Sequence, residues 1–526
     1  MPKVARGRRK RAYRPKTRTG CATCKTRRVK CDETRPFCVR CTSTGRLCDG
    51  YPAAEPVQPF SSNIVSVAPE IGPSVDVYES LESSRSFAFF LNRTSPQLAG
   101  FFGSEFWERY VLQAAYHESA VRHAIVAIGS LHELVEHRAE VGDINGTFAL
   151  EHYNLAIKGL LVPLSLYGER GIDVCLITCI LFICFENIRG NHVAAGSHIQ
   201  SGSKLLREAA YDKQSGIIKH RALGSKACLD SHVPFDILAS IFAGLDQQST
   251  IIIQDNRSDD YSSLFSRAIP DGDHLSFSSI EEAKSVYEYG YCMFINNHVS
   301  QRECDPAQAP IDIESQMGYY SALLLRFLQA IQELVESQRG SLTPKADIAA
   351  AVLQLHVLNT YVSLYVEYSP PGYRPSWDTF MPQFIEMVSL GEKIVSFASA
   401  GCESGRQPTS FCLDMGYVIP LFTVASQCHE PALRRRAIAL LRSTWRQEGL
   451  WNSLVIAQAA ERIMEIQETE LIATSTTDSP GLWMSPAIRP ILQLDGRGVR
   501  LQYMRQGQGE GTEIKVVENV VNWERV

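Results

Sequence analysis

Six cysteines near the amino terminus are the residues of this sequence whose spacing is best suited to chemistry. They stand at Cys21, Cys24, Cys31, Cys38, Cys41 and Cys48. The spacing is two copies of C-x2-C-x6-C, and each copy can offer three thiolates to one tetrahedral metal ion. Because structural zinc takes four ligands, two of the six sulfurs must serve both metals. The pattern therefore predicts one cluster of two Zn²⁺ ions, which would be the core of a module too small for a hydrophobic one.

Three other uses of these cysteines are weighed against the shared cluster. The first 16 residues contain no apolar segment of the kind found in secretory signals, so we expect a reducing compartment, which disfavours disulfides. An iron–sulfur site usually uses four cysteines at other spacings. Two independent four-ligand zinc sites would need two further ligands, and no histidine precedes His117. The shared zinc cluster is the favoured interpretation.

The charge of the chain is unevenly distributed along the sequence. Residues 1–50 carry 16 Lys and Arg against three acids, a net charge of +13, whereas the remaining residues have a net charge of −18. A basic block on an acidic body predicts a polyanionic partner for the block alone, and double-stranded DNA fits that expectation.

The cysteine region resembles the fungal Zn₂Cys₆ binuclear cluster transcription factors. The resemblance rests on all six cysteines, on the basic residues between Cys24 and Cys31, and on Pro36 before the fourth cysteine. It implies that the first and fourth cysteines, Cys21 and Cys38, bridge the two metals. It also implies that Arg27 and Arg28, where many members have Lys, contact a CGG triplet in the major groove.

Further basic residues are predicted to contact DNA without reading its sequence. The candidates for phosphate contacts are Lys25, Lys30, Arg35 and Arg40. A denser basic run consists of Arg6, Arg8, Arg9, Lys10 and Arg11. Such a run is typical of a nuclear import signal or of an arm that contacts phosphates, and it predicts that the protein works in the nucleus.

The elements around the cysteines divide the chain into five predicted segments. They are a basic arm (1–18), the zinc module (19–50), a linker (51–85), a helical regulatory domain (86–475) and a carboxyl-terminal tail (476–526). Five prolines interrupt the linker, which argues against a dimerisation helix directly behind the module. The predicted fold is thus a small zinc-cluster DNA-binding module and a large all-α regulatory domain, joined by a proline-rich linker.

The predicted helical region shows three-and-four spacing of apolar residues in many segments, among them Ala120–Val135 and Tyr319–Glu336. Its longest apolar run, Val174–Phe185, is too short for a bilayer and predicts a buried core helix. Residues 210–230 and 246–280 are predicted to be loops. The last stretch, Glu513–Val521, fits a short strand or a helix. Segments of 85–200 and 432–451 resemble the fungal-specific transcription factor regulatory domain, which implies an all-helical, non-catalytic domain linked to regulation.

No motif of this region predicts catalysis. His132 and His137 lie five residues apart, about 140° around a helix, so they cannot share a metal and are predicted to lie on a helix surface. Cys175 and Cys179 share a helix face but lie in an apolar run, where packing is favoured. The glycines of 507–511 lack the spacing and setting of a nucleotide-binding loop.

We favour a sequence-specific regulator of RNA polymerase II genes that recognises CGG-type half-sites and is not an enzyme. The resemblance also implies that the protein controls a secondary-metabolite gene cluster. Its expected partners are double-stranded DNA and the transcription machinery, with a homodimer through the helical domain as one option and no membrane. The alternative is an enzyme or ligand-binding helical domain that the zinc module targets to DNA. A third interpretation is an interaction scaffold with a degenerate zinc module, against which Arg27, Arg28 and Lys30 argue.

Overall fold

The chain divides into two compact units, residues 1–77 and 78–526, and each is described by itself. The computed structural model describes residues 21–34, 36–49, 80–137, 146–161, 171–212, 217–220, 232–253, 275–303, 313–367, 377–400, 409–414, 416–475, 489–492, 499–506 and 513–519. The predicted linker therefore lies almost wholly outside the described residues, and the predicted segment boundaries stay predictions.

The described residues of the first unit, 21–34 and 36–49, contain two short helices, α1 (Ala22–Thr26) and α2 (Val39–Thr42). The buried side chains of this described part are five cysteines, with Val29 and Cys31 packed against them. A module of this size buries too little apolar surface to fold on that account alone. Its stability must therefore come from whatever the sulfurs bind.

The second unit is built mainly of helices. They are α3 (Leu81–Phe89), α4 (Ser95–Leu98), α5 (Val111–His117), α6 (Ser119–His137), α7 (Thr147–Leu160), α8 (Gly171–Ile188), α9 (His192–Glu208), α10 (Phe235–Ile253), α11 (Ile280–Glu303), α12 (Ile313–Ser337), α13 (Pro344–Glu367), α14 (Met381–Ser399), α15 (Val418–Gln427), α16 (Pro431–Ser443) and α17 (Ser453–Ser475). Short π-helical segments, Phe90–Thr94 and Phe106–Tyr110, precede α4 and α5, and a 3₁₀ turn, Trp377–Phe380, precedes α14. The predicted helical body is confirmed, although it was predicted to be all-α and the described residues also contain short strands.

Helix α8 contains the apolar run that was predicted to be a core helix, and that prediction is confirmed. Its buried residues face all sides of the helix: Leu176, Ile177, Ile180, Leu181, Phe182, Ile183, Cys184 and Phe185. A helix that is apolar all round has to be surrounded by other elements. Helices α6, α7, α9 and α10 pack around it.

One helix of the second unit, over Pro344–Tyr365, is long and apolar enough to cross a membrane. Of its apolar window, 67% is buried inside the protein, where α13 packs between α12 and α14. A core helix has the same length and composition, so this segment is accounted for by the fold.

In the residues that the structure describes, three small sheets accompany the helices. The strands β1 (Ala209–Asp212) and β2 (Ile217–His220) form an antiparallel hairpin. The strand β3 (Thr409–Cys412) pairs in parallel with β4 (Trp445–Glu448), which pairs antiparallel with β5 (Trp451–Asn452). The strands β6 (Arg489–Leu492), β7 (Val499–Gln506) and β8 (Glu513–Asn519) form an antiparallel sheet near the carboxyl terminus.

Parts of the predicted loops are therefore wrong. Residues 209–220 contain the β1–β2 hairpin, and α10 continues to Ile253. The sequence of Glu513–Val521 fits a strand or a helix, and the structure shows a strand, β8, over Glu513–Asn519. Leu501 of β7 is fully buried in the main core, so the tail sheet packs on the body.

The prediction that His132 lies on a helix surface is also wrong. Its side chain is 3% exposed, and its Nδ1 lies 2.9 Å from the Thr94 Oγ1. The π-helical turn that ends at Thr94 packs on α6, and spacing along α6 alone does not reveal that neighbour. Burial lowers the pKa of His132 to about 4, so the imidazole is neutral at pH 7.

Candidate metal centre and nucleic-acid interface

The two halves of the cysteine module repeat the same backbone geometry at an offset of 17 residues. The Lys25 N–H donates to the Cys21 carbonyl at 3.0 Å, and the equivalent Thr42 N–H donates to the Cys38 carbonyl at 3.2 Å. The Cys21 N–H donates to the Cys31 Sγ at 3.5 Å. This contact is matched in the second half by Cys38 and Cys48 at 3.4 Å. Each C-x2-C-x6-C copy thus forms a helical turn followed by an extended segment. This segment brings the Sγ of the third cysteine next to the backbone N–H of the first.

In each half, the segment between the helical turn and the third cysteine contains a residue with a left-handed backbone conformation. Arg28 has φ 54° and its equivalent in the second half, Gly45, has φ 65°. Glycine adopts this conformation without steric cost, whereas an L-residue with a side chain pays about 1 kcal/mol or more. Arg28 therefore occupies a backbone position that the repeat itself would give to glycine.

The sulfur atoms lie at distances that suit a tetrahedral thiolate site. The Cys21 Sγ is 3.6 Å from the Cys38 Sγ and 3.9 Å from the Cys41 Sγ, and the Cys24 Sγ is 3.7 Å from the Cys38 Sγ. The Cys24 and Cys41 sulfurs also lie 3.7 Å apart, although a cluster of two metals with Cys21 and Cys38 in common gives these two no shared ion. A zinc–sulfur bond of about 2.3 Å gives sulfur–sulfur edges of about 3.8 Å in a tetrahedron. The donor set thus fits zinc in both chemistry and spacing.

The sulfurs form two overlapping groups of four. Cys21, Cys24, Cys31 and Cys38 form the first group, and Cys21, Cys38, Cys41 and Cys48 form the second. Within each group the sulfurs lie within 4.8 Å of one another. Cys21 and Cys38 are the two members that both groups share, the same pair that the sequence resemblance implies as bridges. Among the described residues, no other cluster of His, Cys, Asp or Glu meets this criterion.

Burial raises the pKa of the Cys21, Cys24 and Cys38 thiols above the ordinary cysteine value. Thiolates packed this closely repel one another, and divalent cations between them offset that repulsion. The two groups of sulfurs are therefore arranged for a divalent metal, which would displace the thiol protons when it binds.

Asp32, which sequence analysis did not single out, joins the two halves. Its carboxylate accepts hydrogen bonds from the backbone N–H groups of Val39 at 3.1 Å and Arg40 at 2.6 Å, at the start of α2. It also accepts from the hydroxyl and the N–H of Thr34, and these bonds lower its pKa to about 2. Asp32 thus caps the amino-terminal end of α2. Its position directly after Cys31, in a segment with sixteen basic residues, is the sequence signal that could have indicated this role.

The predicted DNA-contacting residues lie on the surface of the module. Arg27 is the carboxyl-terminal cap of α1, Arg28 follows it, and both side chains are exposed. Lys25, Lys30 and Arg40 are exposed as well. Arg35 and the basic run of Arg6, Arg8, Arg9, Lys10 and Arg11 lie outside the described residues.

Two family models match this chain. Residues 19–56 match the fungal Zn(2)-Cys(6) binuclear cluster domain, and residues 85–465 match the fungal specific transcription factor domain. The chain belongs to the fungal Zn(2)-Cys(6) transcription factors. Membership of this family means that it is a DNA-binding, zinc-binding transcription regulator, and the predicted combination of modules is confirmed.

This chain is similar to several curated transcription regulators. The aspercryptin biosynthesis cluster-specific transcription regulator of Emericella nidulans is 23% identical over 95% of this chain and 96% of its own length. The transcription regulator lscL of Purpureocillium lilacinum is 32% identical over 35% of this chain and 47% of its own. The Zn(2)-C6 fungal-type transcription factor afumD of Aspergillus fumigatus is 31% identical over 39% and 57%. No solved structure matches the chain significantly.

Proposed function

We propose that this protein is a nuclear regulator of RNA polymerase II transcription that recognises CGG-type half-sites through two zinc ions held by six cysteines. The observation that carries the proposal is the pair of overlapping four-cysteine groups with Cys21 and Cys38 in common. In this proposal Cys21 and Cys38 bridge the metals, and the other four cysteines each bind one metal. Zinc supplies the cross-links that hold α1 in a fixed orientation.

The charge of the module supports a role on DNA. Two Zn²⁺ ions and six thiolates together carry a formal charge of −2, which the surrounding Lys and Arg outweigh. Arg27 and Arg28 emerge at the end of α1, where a guanidinium can donate two hydrogen bonds to guanine O6 and N7. Lys25, Lys30, Arg35 and Arg40 are proposed to contact phosphates, and the residues from Arg6 to Arg11 to support nuclear import.

The target is proposed to be a biosynthetic gene cluster. The support is the relative that matches nearly the whole of this chain and is described as a biosynthesis cluster-specific regulator. The body is proposed to be regulatory rather than catalytic, since its family and relatives are transcription factors.

The test of base recognition compares two arginines of the module in the full chain. Arg28→Ala removes a proposed base contact, and Arg46→Ala removes the same charge from an exposed position in the second half. A bidentate arginine–guanine contact contributes about 1–3 kcal/mol of discrimination, so Arg28→Ala should lower affinity for a CGG duplex about 5- to 150-fold more than for a scrambled duplex. Arg46→Ala should weaken binding to both duplexes by the same small factor.

Competition binding with matched and scrambled duplexes measures both ratios, with zinc content as the control for folding. If Arg28→Ala lowers both affinities equally, Arg28 contacts phosphate only and the assignment of base recognition to it is wrong.

A further inference from the structure

A cavity of about 190 Å³ lies in the second unit, where α10, α11 and α13 meet the segments around β3 and β5. Most of its wall is apolar, and the polar side chains on it include Lys284, Glu288, Asn359, Asp414 and Trp451. At about 30 Å³ for each water, the space holds several waters or one small organic molecule. Apolar walls with a few convergent polar groups are typical of ligand sites.

Two buried polar atoms of residues that line this cavity have no hydrogen-bond partner in the part of the chain that the structure describes. They are the indole Nε1 of Trp451, a residue that is 3% exposed, and the Oδ1 of Asn359. The indole N–H can only donate and the amide oxygen can only accept. Leaving such atoms unpaired costs about 1–3 kcal/mol each. A molecule that offers one acceptor and one donor would satisfy both.

The charged groups of the wall restrict the charge of that molecule. The Lys284 Nζ lies 2.6 Å from the Asp414 Oδ2 and 3.4 Å from the Glu288 Oε1, so two carboxylates face one ammonium group. Burial lowers the pKa of Lys284, but attraction to these carboxylates outweighs burial and keeps the group charged. Glu448, also on the wall, is paired with the buried Arg446 at 2.5 Å. Burial raises the pKa of Glu288, but with or without a proton on Glu288 the ammonium group of Lys284 is still paired with Asp414, so no positive charge is left over to attract an anion.

Gly244, in the middle of α10, also lines the cavity. A Cβ built at this position would meet no atom within 4 Å, so a side chain there would extend into open space. Gly318 of α12 has the same property and does not line the cavity. The two glycines form a matched pair for filling the cavity and for controlling the effect of the substitution.

We propose that this cavity binds a small neutral or cationic polar molecule, an amide or an amine, that accepts a hydrogen bond from Trp451 and donates one to Asn359. The site shares no residue with the zinc module, so it adds a ligand-binding role for the body to DNA binding.

The test follows the indole N–H resonance of Trp451 in the ¹⁵N-labelled full chain without DNA. The Trp451→Phe variant assigns that resonance among six tryptophans. Acetamide, ethylammonium chloride and sodium acetate are titrated at equal ionic strength. We expect a saturating shift with acetamide or ethylammonium and none with acetate. Gly244→Leu should abolish the shift, Gly244→Ala should weaken it, and Gly318→Leu should leave it as in the wild type.

The proposal is overturned by a resonance that responds to none of the three probes, which would mean a cavity for water only. It is also overturned by an equal response to acetate, or by a full response in a folded Gly244→Leu protein. Because DNA is absent, failure of this test leaves the proposed DNA recognition untouched, and the reverse also holds.

Discussion

Cys21 and Cys38 differ from the other four cysteines because each belongs to both four-sulfur groups. Loss of a shared sulfur leaves both metals with three ligands, whereas loss of an unshared sulfur leaves one metal with its full set. We therefore expect the Cys21→Ser protein to retain almost no zinc and the Cys48→Ser protein to retain about one ion per chain. Native mass spectrometry of the full chain counts the metals. Equal zinc content in the two variants would contradict the bridging role.

His132 makes stability depend on pH because its pKa is lowered to about 4 by burial. The unfolded chain binds a proton near pH 6.5 and the folded chain does not, so this contribution is complete above pH 6.5 and is lost as pH falls toward 4. The free energy of unfolding should fall by up to about 3 kcal/mol from this residue over that range. Urea unfolding at several pH values measures the slope.

The variant that tests His132 replaces it with asparagine, which does not titrate. His132→Asn should be less stable at pH 7, because the contact with Thr94 changes, but it should lose less stability on acidification than the wild type. An unchanged slope in His132→Asn would mean that other groups dominate the pH dependence.

At the scale of elements, α6 approaches the chain of α3 so closely that one position tolerates no side chain. A Cβ on Gly129 would lie 2.1 Å from the Ser86 carbonyl oxygen and 3.1 Å from the Phe90 Cβ. The obstacle is backbone, which cannot rotate away as a flexible side chain can. The glycine thus sets the distance between the two helices.

Gly129→Ala and Gly318→Ala should change stability in opposite directions. Alanine favours a helix over glycine by about 1 kcal/mol, and this gain should appear at Gly318, where no atom lies within 4 Å of the added methyl group. At Gly129 the clash should exceed the gain and destabilise the protein by about 1–3 kcal/mol. Thermal or urea unfolding decides the sign. A stabilised Gly129→Ala protein would show that α3 and α6 can separate at little cost.

At the scale of the whole molecule, the two units depend on different forces. The described part of the first unit buries little besides cysteine sulfur, whereas the second has a large apolar core from Phe90 to Leu501 and a small separate cluster around Leu364. We expect a strong zinc chelator to abolish DNA binding by the full chain while the far-ultraviolet circular dichroism changes little, since α1 and α2 contain only five and four residues. A large loss of helical signal on chelation would show that the body also depends on the metal.

The metal centre could be predicted because its determinants are local. Six ligands within 28 residues, at two equal spacings, restrict the chemistry to a few options, and tetrahedral zinc resolves the shortage of ligands. The helices of the body could be predicted for a similar reason, since apolar periodicity and helix-start signals such as Pro431 in the first turn of α16 act over a few residues.

The features decided by tertiary structure join residues that are distant in sequence. The pairing of β3 with β4 brings Thr409 beside Trp445, and neither strand has a pattern of its own that marks it. His132 is buried by a π-helical turn 38 residues away, and Trp451 shares a cavity wall with Gly244. Periodicity reports which face of an element is apolar, but burial, cavities and unpaired polar atoms depend on which other element covers that face. For this protein the sequence determined the metal chemistry and the helices, and the packing of the helices decided where the body could bind a ligand.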